Sequence, residues 1–244
     1  MSLSLKNKFR FEVFARSDVG KKRSNNQDSF LINESLGVFA VADGMGGHSG
    51  GEVASALAVK TLEKIFKEHK NSPVPERLEN AVNFCNQVIF EQSQANAHLT
   101  GMGTTLTAVA LDSEWLHIAQ VGDSRCYLFR QGELYQITED HSQVYELIKA
   151  GLISEANAPF VQKNVITRSV GYERLVRVDI FSRKVELGDR YLLCSDGLSG
   201  MVNNEQIAQV LQNFSLAEAT VNLVNLANLF GGEDNISVVL LEAK

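Results

Sequence analysis

Residues 36–47 read LGVFAVADGMGG. β-Branched and aromatic side chains cluster over 36–42 and predict a strand, and its apolar run VFAVA ends on a single carboxylate, Asp43. The same grammar recurs elsewhere: Asp196 follows YLLCS, Asp234 lies just before ISVVLL, and Asp28 opens DSFLI. In neighbouring antiparallel strands the outgoing end of one lies beside the incoming end of the next. Asp43 and Asp196 can then share a sheet edge with Asp234 and Asp28.

The same patterning predicts further strands near 9–16, 28–33, 103–111, 115–121, 125–130, 134–138, 176–186, 190–195 and 236–242. Helical spacing links Ala54, Leu57, Ala58, Thr61, Leu62 and Ile65, and again Leu78, Val82, Cys85, Val88 and Ile89. A second helical pair is expected near 203–212 and 216–229, with Ile207, Val210 and Leu211 on one apolar face. Short connections such as VGDS and QGE suit hairpins, and no regular β-α-β alternation appears. Mainly antiparallel sheets covered by helices follow. Residues 141–175 are less regular, with a short helical pattern from Val144 to Ala150. No repeat or low-complexity linker divides the chain, so one domain is expected.

Composition narrows the function. The 244 residues are 44% hydrophobic and 21% charged, an ordinary globular balance, and a net charge of -6 disfavours nucleic acid and acidic membrane surfaces. Cys85, Cys126 and Cys194 are odd in number and form no C-x-x-C pair, which predicts a reducing compartment without a thiolate zinc site. The N-terminal stretch alternates apolar and polar residues and reads as a first strand rather than a secretory signal, and no apolar run approaches the ~20 residues needed to span a bilayer. A cytoplasmic protein is expected.

Four carboxylates gathered at the rim of a buried sheet repel one another and are costly to leave unpaired. Nearby lysine and arginine are too few, so divalent cations are the economical answer, and oxygen-only ligands favour Mg²⁺ or Mn²⁺. The bland alternative treats each aspartate as a turn former beside glycine. Against it, several of them end or begin apolar strands, in ADGMGG, SDGLSG and GGEDN, where glycine lets the backbone approach a ligand closely.

At these residues the sequence resembles the metal-dependent, type 2C protein serine/threonine phosphatases. The likeness spans about Val13 to Leu241, with motifs in the family's order: VGKKRSNNQDSF at 19–30, VADGMGGHSGGEVAS at 41–55, GTTLTAV at 103–109, VGDSRCYLFR at 121–130, TEDHS at 138–142, LLCSDGLSG at 192–200 and GGEDNISVVLL at 231–241. The resemblance implies an α+β fold, a four-layer α-β-β-α sandwich of two mainly antiparallel sheets flanked by helices. It implies one catalytic domain over 1–244 with a flap-like segment at about 141–175. Asp43 would bridge two principal ions, Mn²⁺ or Mg²⁺, the Gly44 carbonyl would bind one, and Asp196 and Asp234 would complete the other. Asp123 with Asp196 matches the place of a third ion in bacterial members, Asp28 would orient waters, and Asn235 would support that shell. Metal-activated water would then attack the phosphorus of phosphoserine or phosphothreonine, with Arg23 gripping the phosphate. The bland reading of Arg23 is a solvated cation beside Lys21 and Lys22.

Two positions depart from the family. Many eukaryotic members carry histidine after the Asp-Gly pair as a candidate acid, but Met45 stands here, and His48 is the nearest substitute. Gln27 replaces a common glutamate, which predicts altered affinity for one ion. GTTL at 103–106 reads as core packing, and His69, His98 and His117 read as structural. His141 has no clear task.

Two other functions compete. Nucleotide binding fails on spacing, because G-x-G-x-x-G from Gly44 meets Ser49 and from Gly101 meets Leu106. A catalytically inert, phosphatase-like binding module would be marked by lost carboxylates, yet Asp43, Asp196 and Asp234 all stand with Arg23. The DGMGGH form resembles bacterial members, implying phosphorylated protein substrates and a cognate serine/threonine kinase in the same cell. A monomer is expected.

Overall fold

The computed structural model describes residues 8–47, 50–154, 157, 161 and 165–244. The elements run β1 (Phe11–Asp18), β2 (Asp28–Asn33), β3 (Val38–Met45), α1 (Gly50–Glu68), α2 (Val74–Ala95), β4 (Gly103–Thr104), β5 (Leu106–Asp112), β6 (Trp115–Val121), β7 (Arg125–Arg130) and β8 (Glu133–Gln136). They continue α3 (Gln143–Lys149), β9 (Asp179–Lys184), β10 (Arg190–Cys194), α4 (Asp196–Ser199), α5 (Asn204–Asn213), α6 (Leu216–Leu229) and β11 (Ile236–Ala243). One sheet has the order β1-β11-β10-β7-β8, and the other β2-β3-β5-β6-β9 with β4 on β3. Every paired strand described is antiparallel.

Both faces of each sheet are buried, which explains the continuous apolar runs. Along β3, Val38, Ala40 and Ala42 face α1 and α2, whereas Phe39 and Val41 face the other sheet. On the second sheet Leu192, Cys194, Val238 and Leu240 pack against α5 and α6, while Tyr191, Leu193, Val239 and Leu241 fill the space between sheets. Unbroken apolar strands usually signal a parallel sheet. Here helices cover both outer faces of an antiparallel sandwich, giving the same pattern and the expected four layers. Reciprocal capping boxes start α5 (Asn203 with Gln206) and α6 (Ser215 with Glu218), satisfying orphan amides that α-helices leave at their first turn.

Among the boundaries that depart from the sequence reading, three have a clear outcome. The strand expected at 36–42 runs on through Asp43 to Met45. The one expected over 103–111 is split at Thr105, whose amide donates to the Asp43 carbonyl at 2.8 Å instead of continuing a ladder. The 176–186 strand shortens to Asp179–Lys184. Within 141–175, α3 takes the expected short helix, capped by Ser142, whereas 155–156, 158–160 and 162–164 lie outside the described residues. No helix among the described residues is long and apolar enough to cross a membrane.

Candidate active site

The aspartates converge at one end of the sandwich, but not along one sheet edge. Asp28 and Asp43 are direct cross-strand partners of β2 and β3 in one sheet. Asp196 opens α4 immediately after β10, and Asp234 precedes β11, both at the matching end of the other sheet. The grouping therefore crosses between sheets. Stacking the two sheets in register brings their strand ends together, a long-range relation that adjacency within one sheet does not express. Ser195 ties the layers, donating Oγ to Asp28 Oδ2 at 2.8 Å, while its oxygen accepts from the Ser237 amide at 2.9 Å.

The backbone around Asp43 is held from both sides. Its amide donates to Thr105 Oγ1 at 2.9 Å, and its carbonyl accepts from Thr104 Oγ1 at 2.9 Å. GTTL thus clamps the peptide that carries Asp43, which the core-packing reading missed; two adjacent threonines ending a strand opposite ADG were the available signal. Thr105 also bonds Ser124 at 2.7 Å, joining Asp43 to the β6–β7 hairpin that carries Asp123.

Gly44 abuts the start of α1 so closely that a Cβ there would lie 1.9 Å from the Gly51 carbonyl oxygen. Gly197 meets the Asn235 carbonyl in the same way, at 2.0 Å. At these two positions glycine is required by chain meeting chain, not only by approach to a ligand.

Arg23 Nη2 donates to Asp234 Oδ2 at 2.7 Å, with Arg23 48% and Asp234 31% exposed. Arg23 is half exposed, as a solvated cation would be, and has in addition a specific partner. Asn235 fixes the loop that carries Arg23: its Oδ1 accepts from the Gln27 amide at 2.8 Å, and its Nδ2 donates to the carbonyls of Val19 and Asn25, both at 2.9 Å. The Gln27 carbonyl accepts from the Gly44 amide and from Ser55 Oγ. His48 lies outside the described residues. His117 bonds Ser182 on the neighbouring strand at 2.7 Å, away from the aspartates, consistent with a structural place.

Burial and mutual repulsion dominate the electrostatics. Burial pushes Asp43 well above the usual carboxylate range, and Asp28, Asp196, Asp123 and Asp234 push it further. Asp28 rises to about 7 through burial, opposed by hydrogen bonds with Ser237 and Ser195. Asp123 also reaches about 7, from burial and then the charges of Asp196 and Asp140. Asp196 is raised by burial and by Asp234, with a hydrogen bond to Asp43 lowering it.

Asp28 Oδ1, Asp123 Oδ1 and Asp196 Oδ1 are buried and accept no hydrogen bond. Arg125, one of the other cations lining the cleft at this end with Lys22, is committed to Asp140 through a bidentate pair at 2.6–3.0 Å. The donor set is all oxygen, so the residues fit hard divalent cations. No three carboxyl, imidazole or thiol groups among the described residues close around one point. An ion here would accordingly keep much of its shell as water, as Mg²⁺ prefers. Asp123, Asp196 and Asp234 open into a cleft of about 670 Å³, lined also by Arg23, Tyr145 and Met201, whereas Asp28 and Asp43 are not among its lining residues.

A model of the family described as protein phosphatase 2C matches residues 20–229, which takes in Arg23, Asp28, Asp43, Asp123 and Asp196 and ends just before Asp234. The chain belongs to the protein phosphatase 2C family. Among family members, serine/threonine protein phosphatase PstP of Mycobacterium tuberculosis is 42% identical over 230 residues, 93% of this chain. The chain spans only 44% of the length of PstP. Serine/threonine phosphatase stp of Listeria monocytogenes is 39% identical over 236 residues, covering 93% of this chain and 94% of that protein. The crystal structure of the PstP catalytic domain in complex with two manganese ions superposes with a TM-score of 0.89 at 38% identity, covering 97% of this chain and 99% of that one. Stp1 from Staphylococcus aureus superposes with a TM-score of 0.90 at 30% identity, covering 100% and 98%. The phosphatase 2C sandwich is therefore this chain's fold.

Proposed function

We propose that this chain is a metal-dependent protein serine/threonine phosphatase, hydrolysing phosphoserine and phosphothreonine on other proteins. The observation that carries the reading is the buried, unpartnered carboxylate oxygens of Asp123 and Asp196, residues that line a cleft together with Arg23, and a further such oxygen on Asp28. Its relatives' names and the two manganese ions of the PstP catalytic domain support it.

In this proposal Asp43, the Gly44 carbonyl, Asp196 and Asp234 hold two principal ions, Mn²⁺ or Mg²⁺, and Asp123 with Asp196 holds a third. When bound, such ions polarise a phosphoryl oxygen and make water acidic enough to be a nucleophile near neutral pH. The chain's own groups do the rest. Asp28, fixed by Ser195, accepts a proton or orients water. Arg23 presents two parallel N–H donors to phosphate oxygens. Thr104 and Thr105 keep the Asp43 peptide in place. His48 is the candidate proton donor to the departing seryl or threonyl oxygen; an unchanged pH profile in His48→Ala removes it from that role. Gln27, an amide where a carboxylate is common, lowers the negative charge beside the site and alters affinity for one ion.

Phosphorylated proteins are the proposed substrates and a cognate serine/threonine kinase the proposed counterpart, with the chain acting as a cytoplasmic monomer. The segment over 141–175 would contact substrate. Hydrolysis of p-nitrophenyl phosphate and a phosphothreonine peptide, with and without Mn²⁺, tests the proposal for wild type and Asp196→Asn in parallel. Metal-dependent turnover abolished by the substitution is expected. Folded wild type that turns over neither compound with either ion would favour the inert binding module.

A further inference from the structure

The TEDHS motif contains a histidine that the reaction leaves unused. His141 is buried, 2% exposed. It follows Asp140, the partner of Arg125, and precedes Ser142, the cap of α3. Its hydrogen bonds run to three separated segments. The Gly122 amide donates to His141 Nδ1 at 3.1 Å, and the His141 amide donates back to the Gly122 carbonyl at 2.9 Å. Its Nε2 lies 3.0 Å from Asp179 Oδ2 on β9. Its carbonyl accepts from the Thr167 amide at 2.8 Å.

The tautomer follows from the donors. An amide can only donate, so Nδ1 must be the acceptor, and the ring proton sits on Nε2, where Asp179 accepts it. Asp179 is held by Arg168 at 3.0 Å, so the carboxylate that orients the ring is itself anchored. Burial lowers the imidazole's pKa, favouring the neutral ring this arrangement needs.

Gly122 has φ +102°, a conformation L side chains rarely adopt, and directly precedes Asp123. A Cβ there would meet Thr105 Cγ2 at 2.5 Å, so the turn lies pressed against the clamp on Asp43. Asp123 has no hydrogen bond to its buried Oδ1. No partner holds that oxygen, and the carboxyl group's own backbone amide is the hydrogen-bonding group that lowers its pKa, so the turn's backbone is what places the carboxylate.

We propose that His141 is a positioning residue for Asp123: as a neutral Nε2–H imidazole oriented by Asp179, it fixes the Gly122 turn that aims the Asp123 carboxylate at an ion. This rests on the reading of Asp123 as an ion ligand. His141 touches neither ion nor substrate. Groups that orient ion-binding side chains at one remove alter metal affinity by about 10–100-fold when lost, which sets the effect to look for.

The test compares wild type, His141→Leu, His141→Asn and Asp123→Asn by Mn²⁺ calorimetry and by amide hydrogen exchange at Gly122. Asp123→Asn defines the binding class that depends on Asp123. Leucine retains bulk without an acceptor, and is expected to weaken that class about tenfold and speed Gly122 exchange. Asparagine places an amide oxygen near the position of Nδ1, and is expected to keep both within about threefold of wild type. Wild-type affinity in a folded leucine variant overturns the proposal. If leucine does not fold, the asparagine variant decides: loss of the Asp123-dependent class in a folded protein also overturns it. Wild type that takes up no Mn²⁺ at all overturns the metal reading itself, a separate outcome.

Discussion

Arg23 and Asp234 stand 211 residues apart and meet through a 2.7 Å contact between Nη2 and Oδ2. One is the cation proposed to grip phosphate, and the other a carboxylate proposed to hold an ion. Each proposed task draws on the charge of the other, so an ion at Asp234 would compete with the guanidinium, and Arg23 would be freed for phosphate as that carboxylate was taken.

Arg23→Ala should therefore act in opposite directions on the two ligands. Hydrogen bonds to charged groups contribute about 1.5–3 kcal/mol, so KM for a phosphopeptide should rise roughly tenfold or more. Mn²⁺ affinity should hold or increase, because Asp234 loses its competing partner. Calorimetry and steady-state kinetics on the same preparation check both signs. A fall in Mn²⁺ affinity would contradict the competition.

The raised carboxyls give the metal-free protein an unusual pH dependence. Asp28 and Asp123 reach about 7 from an ordinary 3.8. A carboxyl whose folded pKa exceeds its unfolded value binds its proton more tightly when folded, so its contribution is present below about pH 4 and lost as pH rises through about 7. In chelator-treated protein this contribution should lower Tm between pH 5 and 7.5, and Asp123→Asn should flatten that slope. Saturating Mn²⁺ binds the ionised forms and should stabilise more at pH 7.5 than at pH 5. An equal Mn²⁺ stabilisation at both values would count against coupled carboxyls at the ion site.

Thr105→Val keeps the shape of the side chain but removes the acceptor for the Asp43 amide, found at 2.9 Å. A buried donor left without its partner costs about 1–3 kcal/mol. Reduced Tm and a lowered kcat are expected, with Thr105→Ser recovering most of both. Wild-type kcat in Thr105→Val would show that the clamp does not position Asp43.

Gly197→Ala tests close packing beneath Asp196. The added Cβ would stand 2.0 Å from the Asn235 carbonyl oxygen, a backbone atom that cannot swing aside. Overpacking of this kind costs about 1–3 kcal/mol or more, and chemical denaturation should read it as a lower midpoint. Because Asn235 anchors the Arg23 loop, KM should rise with it.

Much of the layering is legible in the sequence. Strand and helix positions follow from short-range patterns, and the two helix pairs fell where Ala54 to Ile65, Leu78 to Ile89, Ile207 to Leu211 and the later run placed them. Boundaries failed where long-range bonds took over: Thr105 leaves its strand because the Asp43 carbonyl, from a strand 62 residues earlier, captures its amide. The shared-edge placement of the aspartates failed for a related reason. Pairing rules describe neighbours within one sheet, whereas Asp28 and Asp43 meet Asp196 and Asp234 across two.

By itself the sequence determined which residue types end each apolar strand, and hence that oxygen donors, not thiols or imidazoles, are carried to the strand ends. Those features reside in local composition and period, which burial on both faces of a sheet selects. Only the tertiary structure decided that Arg23 pairs with Asp234, that Thr104 and Thr105 hold the Asp43 peptide, and that His141 fastens the turn before Asp123. Each of these joins segments whose separation the chain does not encode locally. Their geometry is set only when the two sheets stack and strand ends from opposite halves of the chain meet at one end of the sandwich.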